Sequence, residues 1–209
     1  RFDNRHISSD PMSIDGEPKF EAFTRDFSNI SGSAGMTYAV SKPLNLKLNI
    51  ARGFRAPSLA ELASNGAHEG TNRYEIGDRD LKSETSYQVD GGLEWNTMHL
   101  SLEANLFYNH VQDFIFYEKL RNSAGTDSLI VDPESGDELM AFRFNQHSAN
   151  LYGTELSVDI HPHPLDWLHF KNAFSYTIAR FTDAVDGSRN IPNVPAGRLF
   201  SELSVKLLP

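Results

Sequence analysis

The sequence predicts an all-β fold, in particular an antiparallel up-and-down transmembrane β-barrel. Its apolar residues recur with period two almost throughout, and no stretch of about 12 or more residues carries a 3.6-residue repeat. Short connections alternate with long ones along the chain. No apolar run reaches the ~18 residues of a membrane helix, a test that says nothing about barrel strands, which are apolar only at alternate positions.

Arg1 to Ile7 reads as the tail of a first strand. Between Ile30 and Val40 the even positions Ile30, Ala34, Met36, Tyr38 and Val40 oppose Ser31, Ser33, Gly35 and Thr37. The tight turn Ser41-Lys42-Pro43 restarts the alternation as Leu44, Leu46, Leu48 and Ile50 against Asn45, Lys47 and Asn49. From Ser86 to Trp95 the apolar set is Tyr87, Val89, Leu93 and Trp95, and Asn96-Thr97 turns it into Met98, Leu100, Leu102, Ala104, Leu106 and Tyr108. Tyr152, Leu156, Val158 and Ile160 oppose Gly153, Glu155, Ser157 and Asp159. After His161-Pro162-His163-Pro164 come Leu168, Phe170, Phe174, Tyr176 and Ile178, a face that Asn172 breaks. Leu199, Leu203, Val205 and Leu207 make a last run, so the count is about eight strands.

Long connections run from Ser8 to Asp26, Gly53 to Leu81, Lys119 to Glu138 and Asp183 to Asn190, all rich in Gly, Asp, Asn and Ser. Short turns on one side and long loops on the other is the outer-membrane arrangement, whereas a sandwich has no reason to segregate them. Trp95, Tyr108, Phe116, Tyr117, Trp167 and Tyr176 fall near strand ends, as interfacial aromatic girdles do, although β-core aromatics give the same pattern. The polar face, with Gln88, Asp90, Glu94, Glu103, Glu155, Asp159 and Glu202, suits a wet barrel lumen or bulk water equally; loop asymmetry decides for the barrel.

Composition removes whole function classes. The 209 residues hold 19 Lys+Arg against 28 Asp+Glu, a formal charge of −9, which argues against nucleic acid as a partner. There is no cysteine, so disulfides, thiolate metal sites and cysteine nucleophiles are absent, and any metal must use His, Asp, Glu or Tyr. No Gly-x-Ser-x-Gly, phosphate-binding glycine loop, His-Glu-x-x-His or dinucleotide fingerprint is found, so no enzyme is expected. The chain opens at Arg1 with no targeting pattern, and both ends are expected to be internal cuts.

One stretch is not explained by strand patterning. Arg52-Gly53-Phe54-Arg55-Ala56-Pro57-Ser58-Leu59-Ala60-Glu61-Leu62 resembles the FRAP box of TonB-dependent outer-membrane receptors. The segment Gly77-Asp78-Arg79-Asp80-Leu81-Lys82-Ser83-Glu84 is similar to that family's Gly-Asn-Pro-x-Leu-x-x-Glu, with Asp78 and Arg79 in place of Asn and Pro. Tyr152-Gly153-Thr154-Glu155 resembles its aromatic-Gly-x-Glu strand start, and Ile191-Pro192-Asn193-Val194-Pro195 the Pro-rich start of a late strand. The resemblance implies a barrel of about 22 strands closed by an N-terminal plug, of which residues 1–209 would be about eight strands with no plug. It further implies a bacterial outer-membrane location, lipid around the barrel, and energy from the TonB complex acting through the missing plug. Phe54, Arg55, Ala56, Pro57, Glu61, Gly77 and Leu81 would carry the structural motif, with Arg55 and Glu61 shaping the loop base.

Family members import iron chelates, haem, cobalamin, zinc or glycans, and their loops choose. The resemblance to haem receptors makes His68 an axial-ligand candidate; that to zinc importers groups His68 with Glu69, Glu75 or a histidine such as His147. The ligand-binding set is therefore His68, Glu69, Tyr74 and Glu75, with His68 and Glu69 as metal ligands, and the transported ligand is a metal ion, haem or siderophore. No bound cofactor is otherwise implied. With eight histidines in the chain, His68 is accounted for equally well as a polar loop residue. His161-Pro162-His163-Pro164 looks like a metal pair, but prolines beside both imidazoles and a short-turn position favour a plain turn, and Asp132 to Glu138 offers carboxylates for calcium but lacks EF-hand spacing and reads as a solvated loop. The competing expectations are a self-closed small outer-membrane barrel and a soluble β-sandwich that binds carbohydrate.

Overall fold

A computed structural model describes residues 1–14, 17–68, 70–165 and 167–206. In chain order the elements are β1 (Phe2–Ser9), β2 (Met12–Ile14), β3 (Glu17–Phe20), β4 (Phe23–Ile30), β5 (Gly32–Ser41), β6 (Leu44–Arg55), α1 (Leu59–Ala63), β7 (Asn65–His68), β8 (Arg73–Ile76), β9 (Glu84–Asn96), β10 (Leu100–Lys119), β11 (Leu129–Val131), β12 (Glu138–Ile160), β13 (Leu168–Val185), β14 (Ser188–Asn190) and β15 (Arg198–Val205). All eight predicted strands are present, and the fold is all-β as expected. Leu207 of the last predicted run lies outside the described residues.

The chain divides into two compact units. One comprises residues 32–53, 86–111 and 148–209, and its described part is an antiparallel sheet in the order β14-β13-β12-β10-β9-β6-β5, with β15 also paired to β13. Its registers keep like faces together: Met36 stands across from Leu48 and Tyr38 from Leu46. In the same way Leu156 faces Phe174, which faces Leu199, and Ile160 faces Phe170, which faces Leu203. That apolar face is exposed, with Met36, Tyr38, Leu46, Leu48 and Ile50 each between 43% and 61% accessible. Asn172, the break in its pattern, accepts a 2.7 Å hydrogen bond from Ser201 Oγ. The opposite face is polar and internally bonded: Asn49 Nδ2 donates to Asp90 at 3.0 Å, Gln88 Nε2 to Asp90 at 2.6 Å, and Lys47 pairs with Glu94 at 2.6 Å.

Two alternatives fail on this arrangement. A sandwich buries its apolar face against a second sheet, and this face is open. A self-closed eight-stranded barrel would join its edges, whereas among the described residues β5 pairs only with β6 and β15 only with β13.

The other unit comprises residues 1–31, 54–85 and 112–147. Here β1 pairs antiparallel with β4, β2 with β3 and β7 with β8, while β8 also runs parallel to Met140–Arg143 of β12. Ile7, Phe27, Ala56, Leu62, Leu81, Ile115 and Phe144 form a buried core, with Phe23 against it. Within this unit β10 buries the adjacent residues Ile115 and Phe116 and carries Asp113 at a left-handed φ of 54°, and in β12 the buried positions change parity between Ala141 and Phe144. Both features erase the simple alternation, which is why the sequence pattern follows β10 only to Tyr108 and picks up β12 only at Tyr152. Phe116 is buried, not part of an exposed girdle, whereas Trp95, Tyr108, Trp167 and Tyr176 are each at least 39% exposed.

The four predicted long loops hold structure of their own, with β2 and β3 in residues 8–26 and β11 in residues 119–138. Residues 53–81 hold α1 and the β7–β8 ribbon, and residues 183–190 form a hairpin around Asp186-Gly187, both at positive φ (48° and 75°), the geometry of a two-residue turn.

Close approach explains two motif glycines. A Cβ on Gly77 would lie 2.6 Å from Ala63 N, and one on Gly153 would lie 2.9 Å from the Phe107 ring. Gly77→Ala and Gly153→Ala are each expected to cost ~1–3 kcal/mol. Gly91→Ala, with nothing within 4 Å of the new methyl, should leave stability near the parent. Thermal unfolding in detergent distinguishes the three, and an equal loss in Gly91→Ala would contradict the packing argument.

Candidate functional site

Arg55, at the end of β6, is the centre of the loop base. Its Nη1 donates to both Glu61 oxygens at 2.9 and 2.8 Å, and its Nε and Nη2 donate to Glu84 at 2.9 and 2.7 Å. Such paired charge-assisted bonds fix orientation as well as distance. Hydrogen bonding to Glu84 leads the causes that push the Arg55 guanidinium further above its ordinary range. Glu61 also closes the capping box of α1: Ser58 N–H donates to Glu61 Oε2 at 2.6 Å, and Glu61 N–H donates to Ser58 Oγ at 3.2 Å. Glu84 Oε1 accepts the Ile115 N–H at 2.7 Å, fastening β9 to β10 in this unit.

The rest of the motif packs around this node. Ala56, Pro57 and Leu81 are buried, Gly77 N–H donates to Ser64 O at 2.7 Å, and Asp78 N–H to Glu61 O at 2.9 Å. Glu84 lies in a recognised segment, but its role as Arg55's second partner has no local signal.

The β7–β8 ribbon carries the predicted ligand residues. Its register sets His68 across from Arg73 and Gly66 across from Glu75, so His68, Arg73 and Glu75 share one face. Tyr74 lies on the other face, buried, with its hydroxyl donating to Asn65 Oδ1 at 3.0 Å. His68 and Glu75 both line a cavity of about 570 Å³ whose wall includes Leu59, Ala63 and Met12. His68 is exposed, with Nδ1 3.2 Å from the Thr71 hydroxyl, while Glu75 is buried. Glu69 lies outside the described residues. His147 is part of β12. The ribbon thus brings His68 and Glu75 to one cavity and turns Tyr74 away from it.

Sequence reasoning missed the aromatic and cationic neighbours. The Arg73 guanidinium lies 4.8 Å from the Phe142 ring centroid and 5.9 Å from that of Tyr117, and Tyr117 packs on Phe144 at 4.5 Å. Burial, and then the charges of Glu75 and Glu61, push the Tyr117 phenol up, so this group stays neutral. Asp132 is a turn residue: its carboxylate accepts the Ser135 N–H at 2.9 Å, and its backbone bonds Gly136 and Asp137.

An antiparallel sheet with one exposed apolar face and structured long connections has the pattern of a membrane-barrel wall. A family model described as TonB dependent receptor-like, beta-barrel, matches residues 1–200, and the chain belongs to that family. Among solved structures it is similar to the copper transporter OprC, at 18% identity and a TM-score of 0.74, over 99% of this chain and 28% of that one. It is likewise similar to the ferric-catecholate import receptor Fiu from E. coli K12, at 20% identity and 0.59, over 96% and 28%. The ferric yersiniabactin uptake receptor FyuA from Yersinia pestis gives 15% and 0.58, over 97% and 27%. At these identities the likeness is one of fold, and the chain spans under a third of each of these structures.

Removing the central cation should be costly. In Arg55→Met two carboxylates with side chains only 14% and 12% exposed lose a partner that is itself 45% exposed, an expected ~1–3 kcal/mol of destabilisation. Arg55→Lys should recover only part of it, since one ammonium cannot serve two forks. Denaturant unfolding in detergent, read with protease nicking between residues 56 and 83, checks this. A change in Arg55→Met below about 0.5 kcal/mol, the scale of a surface pair, would contradict it.

Proposed function

We propose that this chain is part of the barrel domain of an outer-membrane active-transport receptor. In this reading the receptor captures a scarce metal-containing nutrient in its outer loops and imports it with energy delivered by TonB through a plug domain beyond this chain. The single observation that carries the membrane part is the exposed apolar face of the sheet, opposite a face whose charges are bonded to one another. Lipid is the solvent for which such a face is the stable one. The arrangement is one of transport, with no nucleophile or acid–base pair assigned.

Within that reading the β7–β8 ribbon is a ligand-capturing element. His68 supplies an imidazole and Glu75 a carboxylate at one cavity, a donor pair suited to a borderline divalent cation such as zinc or copper, or to haem through His68 alone. Glu69, next to His68, would add a second carboxylate, and Tyr74 would hold the ribbon in shape. The likeness to the copper transporter OprC supports the metal-ion reading. An iron-chelate reading is supported by Arg73, a cation held over two aromatic rings, and by the likeness to the ferric-catecholate import receptor Fiu and the ferric yersiniabactin uptake receptor FyuA.

These readings separate in one titration series on the detergent-purified receptor. Zinc, copper and haemin are added in turn to parent, His68→Ala and Glu75→Gln proteins, with metal analysis and Soret absorbance as readouts. Zinc or copper retention weakened at least about tenfold in both variants supports a metal-ion importer. A Soret shift lost only in His68→Ala supports haem. Binding unchanged in both variants would remove the basis of the His68 assignment, and a ferric catecholate weakened by Arg73→Ala would then favour the iron-chelate reading.

A further inference from the structure

The described residues bring three metal-ligating side chains together at one place, and it is not the β7–β8 ribbon. Asp159 near the end of β12, His161 just beyond it and His169 near the start of β13 each offer a donor atom, and these atoms lie within 4.8 Å of one another. All three belong to the unit formed by the antiparallel sheet. The turn that joins β12 to β13 reads in sequence as a plain proline-rich connection, yet the strand register makes it converge on these donors.

The convergence follows from the pleat. Asp159 pairs with Lys171 and His169 with Ser204, which puts Asp159 and His169 on the polar face as diagonal neighbours. The His169 Nδ1 is 3.2 and 3.0 Å from the two Asp159 oxygens. His161 follows Asp159 by two residues, and its ring stacks on His169 with centroids 5.5 Å apart and planes 26° apart. Its Nδ1 is withdrawn from solvent and has no hydrogen-bond partner among the described residues. A buried imidazole nitrogen without a partner is destabilised, and a cation shared with the neighbouring imidazole and carboxylate would satisfy it.

The surroundings hold this geometry in place. His161 N–H donates to the His99 carbonyl at 3.0 Å, and His163 N–H donates to His99 Nδ1 at 3.1 Å. His99 sits in the β9–β10 turn, so two neighbouring short turns are tied together through it. Pro162 and Pro164 limit the backbone on either side of His163. Lys171 is the opposing charge beside Asp159, and its other register partner is Glu202 on β15, a second carboxylate that can occupy it.

We propose that Asp159, His161 and His169 form a binding site for a divalent transition metal at the short-turn end of the sheet. Two imidazoles and one carboxylate with positions left open is a donor set for zinc, copper, nickel or ferrous iron, and a poor one for calcium or magnesium. The bound ion links the end of β12 to the start of β13 across their turn. The site is separate from the ribbon that carries His68, and its test does not depend on what that ribbon binds.

The experiment uses the whole detergent-purified receptor and cobalt(II) as the probe, followed by its visible d–d absorption, with zinc then added in competition. Parent protein is expected to show a cobalt band of tetrahedral or five-coordinate type that zinc displaces. Both His161→Ala and His169→Gln should weaken binding by more than about 100-fold, beyond the effect of losing an outer-shell partner. The glutamine variant retains a donor amide toward Asp159, so an unchanged thermal transition there shows that lost binding is not lost folding. All are compared in a His68→Ala background, which should itself keep the band, so that cobalt held by the ribbon does not enter. In that background a band that persists in His161→Ala and His169→Gln overturns the assignment, as does receptor that takes up no cobalt at micromolar concentration.

Discussion

One guanidinium organises the loop base of this chain. Arg55 directs all three of its side-chain nitrogens to two carboxylates, and each carboxylate makes a further contact. Glu61 caps α1, and Glu84 receives a backbone N–H from β10. A planar, permanently charged fork is the side chain that can do this. Without it, α1 would lose the anchor that holds Leu62 in the core beside Leu81, Ile115 and Phe144. The β7–β8 ribbon hangs from the same helix through the Gly77 and Asp78 backbone bonds, so the positions of His68 and Glu75 trace back to Arg55.

The two units solve the burial problem differently. The one built around Arg55 has a core of the ordinary kind, with apolar side chains turned toward each other and away from water. The antiparallel sheet turns its apolar residues outward and joins its polar residues to each other. In water that would be an unusually large exposed apolar surface. Against hydrocarbon it is the low-energy arrangement, and the 2.7 Å Ser201–Asn172 bond shows the same logic at a single point, a polar pair satisfied within an otherwise apolar face.

Much of this was legible in the sequence because a period of two is a local signal. The hairpin at Ser41-Lys42-Pro43 and the alternating faces of β5, β6 and β9 needed only near neighbours to be read. The signal failed where both faces of a strand are buried, as at Ile115-Phe116, and where Asp113 departs from extended backbone. The Asp186-Gly187 turn carried a strong hairpin cue that was absorbed into a supposed loop. In the candidate site, motif resemblance marked Arg55, Glu61 and Gly77, whereas the partnership with Glu84 and the stacking of Arg73 on Phe142 depend on residues far apart in the chain. The Asp159–His161–His169 cluster depends on pairing in the same way: Asp159 and His161 are two residues apart, but only the β12–β13 register brings His169 to them.

The central claim is that the sheet is a barrel wall with lipid on its apolar face. It is tested most directly by spin labels placed on single cysteines in the receptor reconstituted in bilayers, since the described sheet contributes no native thiol. Labels at Met36, Leu48, Val89 and Leu203 should be relaxed by oxygen, which partitions into hydrocarbon, and protected from a water-soluble nickel chelate. Labels at Asn49, Asp90 and Glu155 should not show that pattern. Equal nickel accessibility on both faces, or the reverse assignment, would contradict the account.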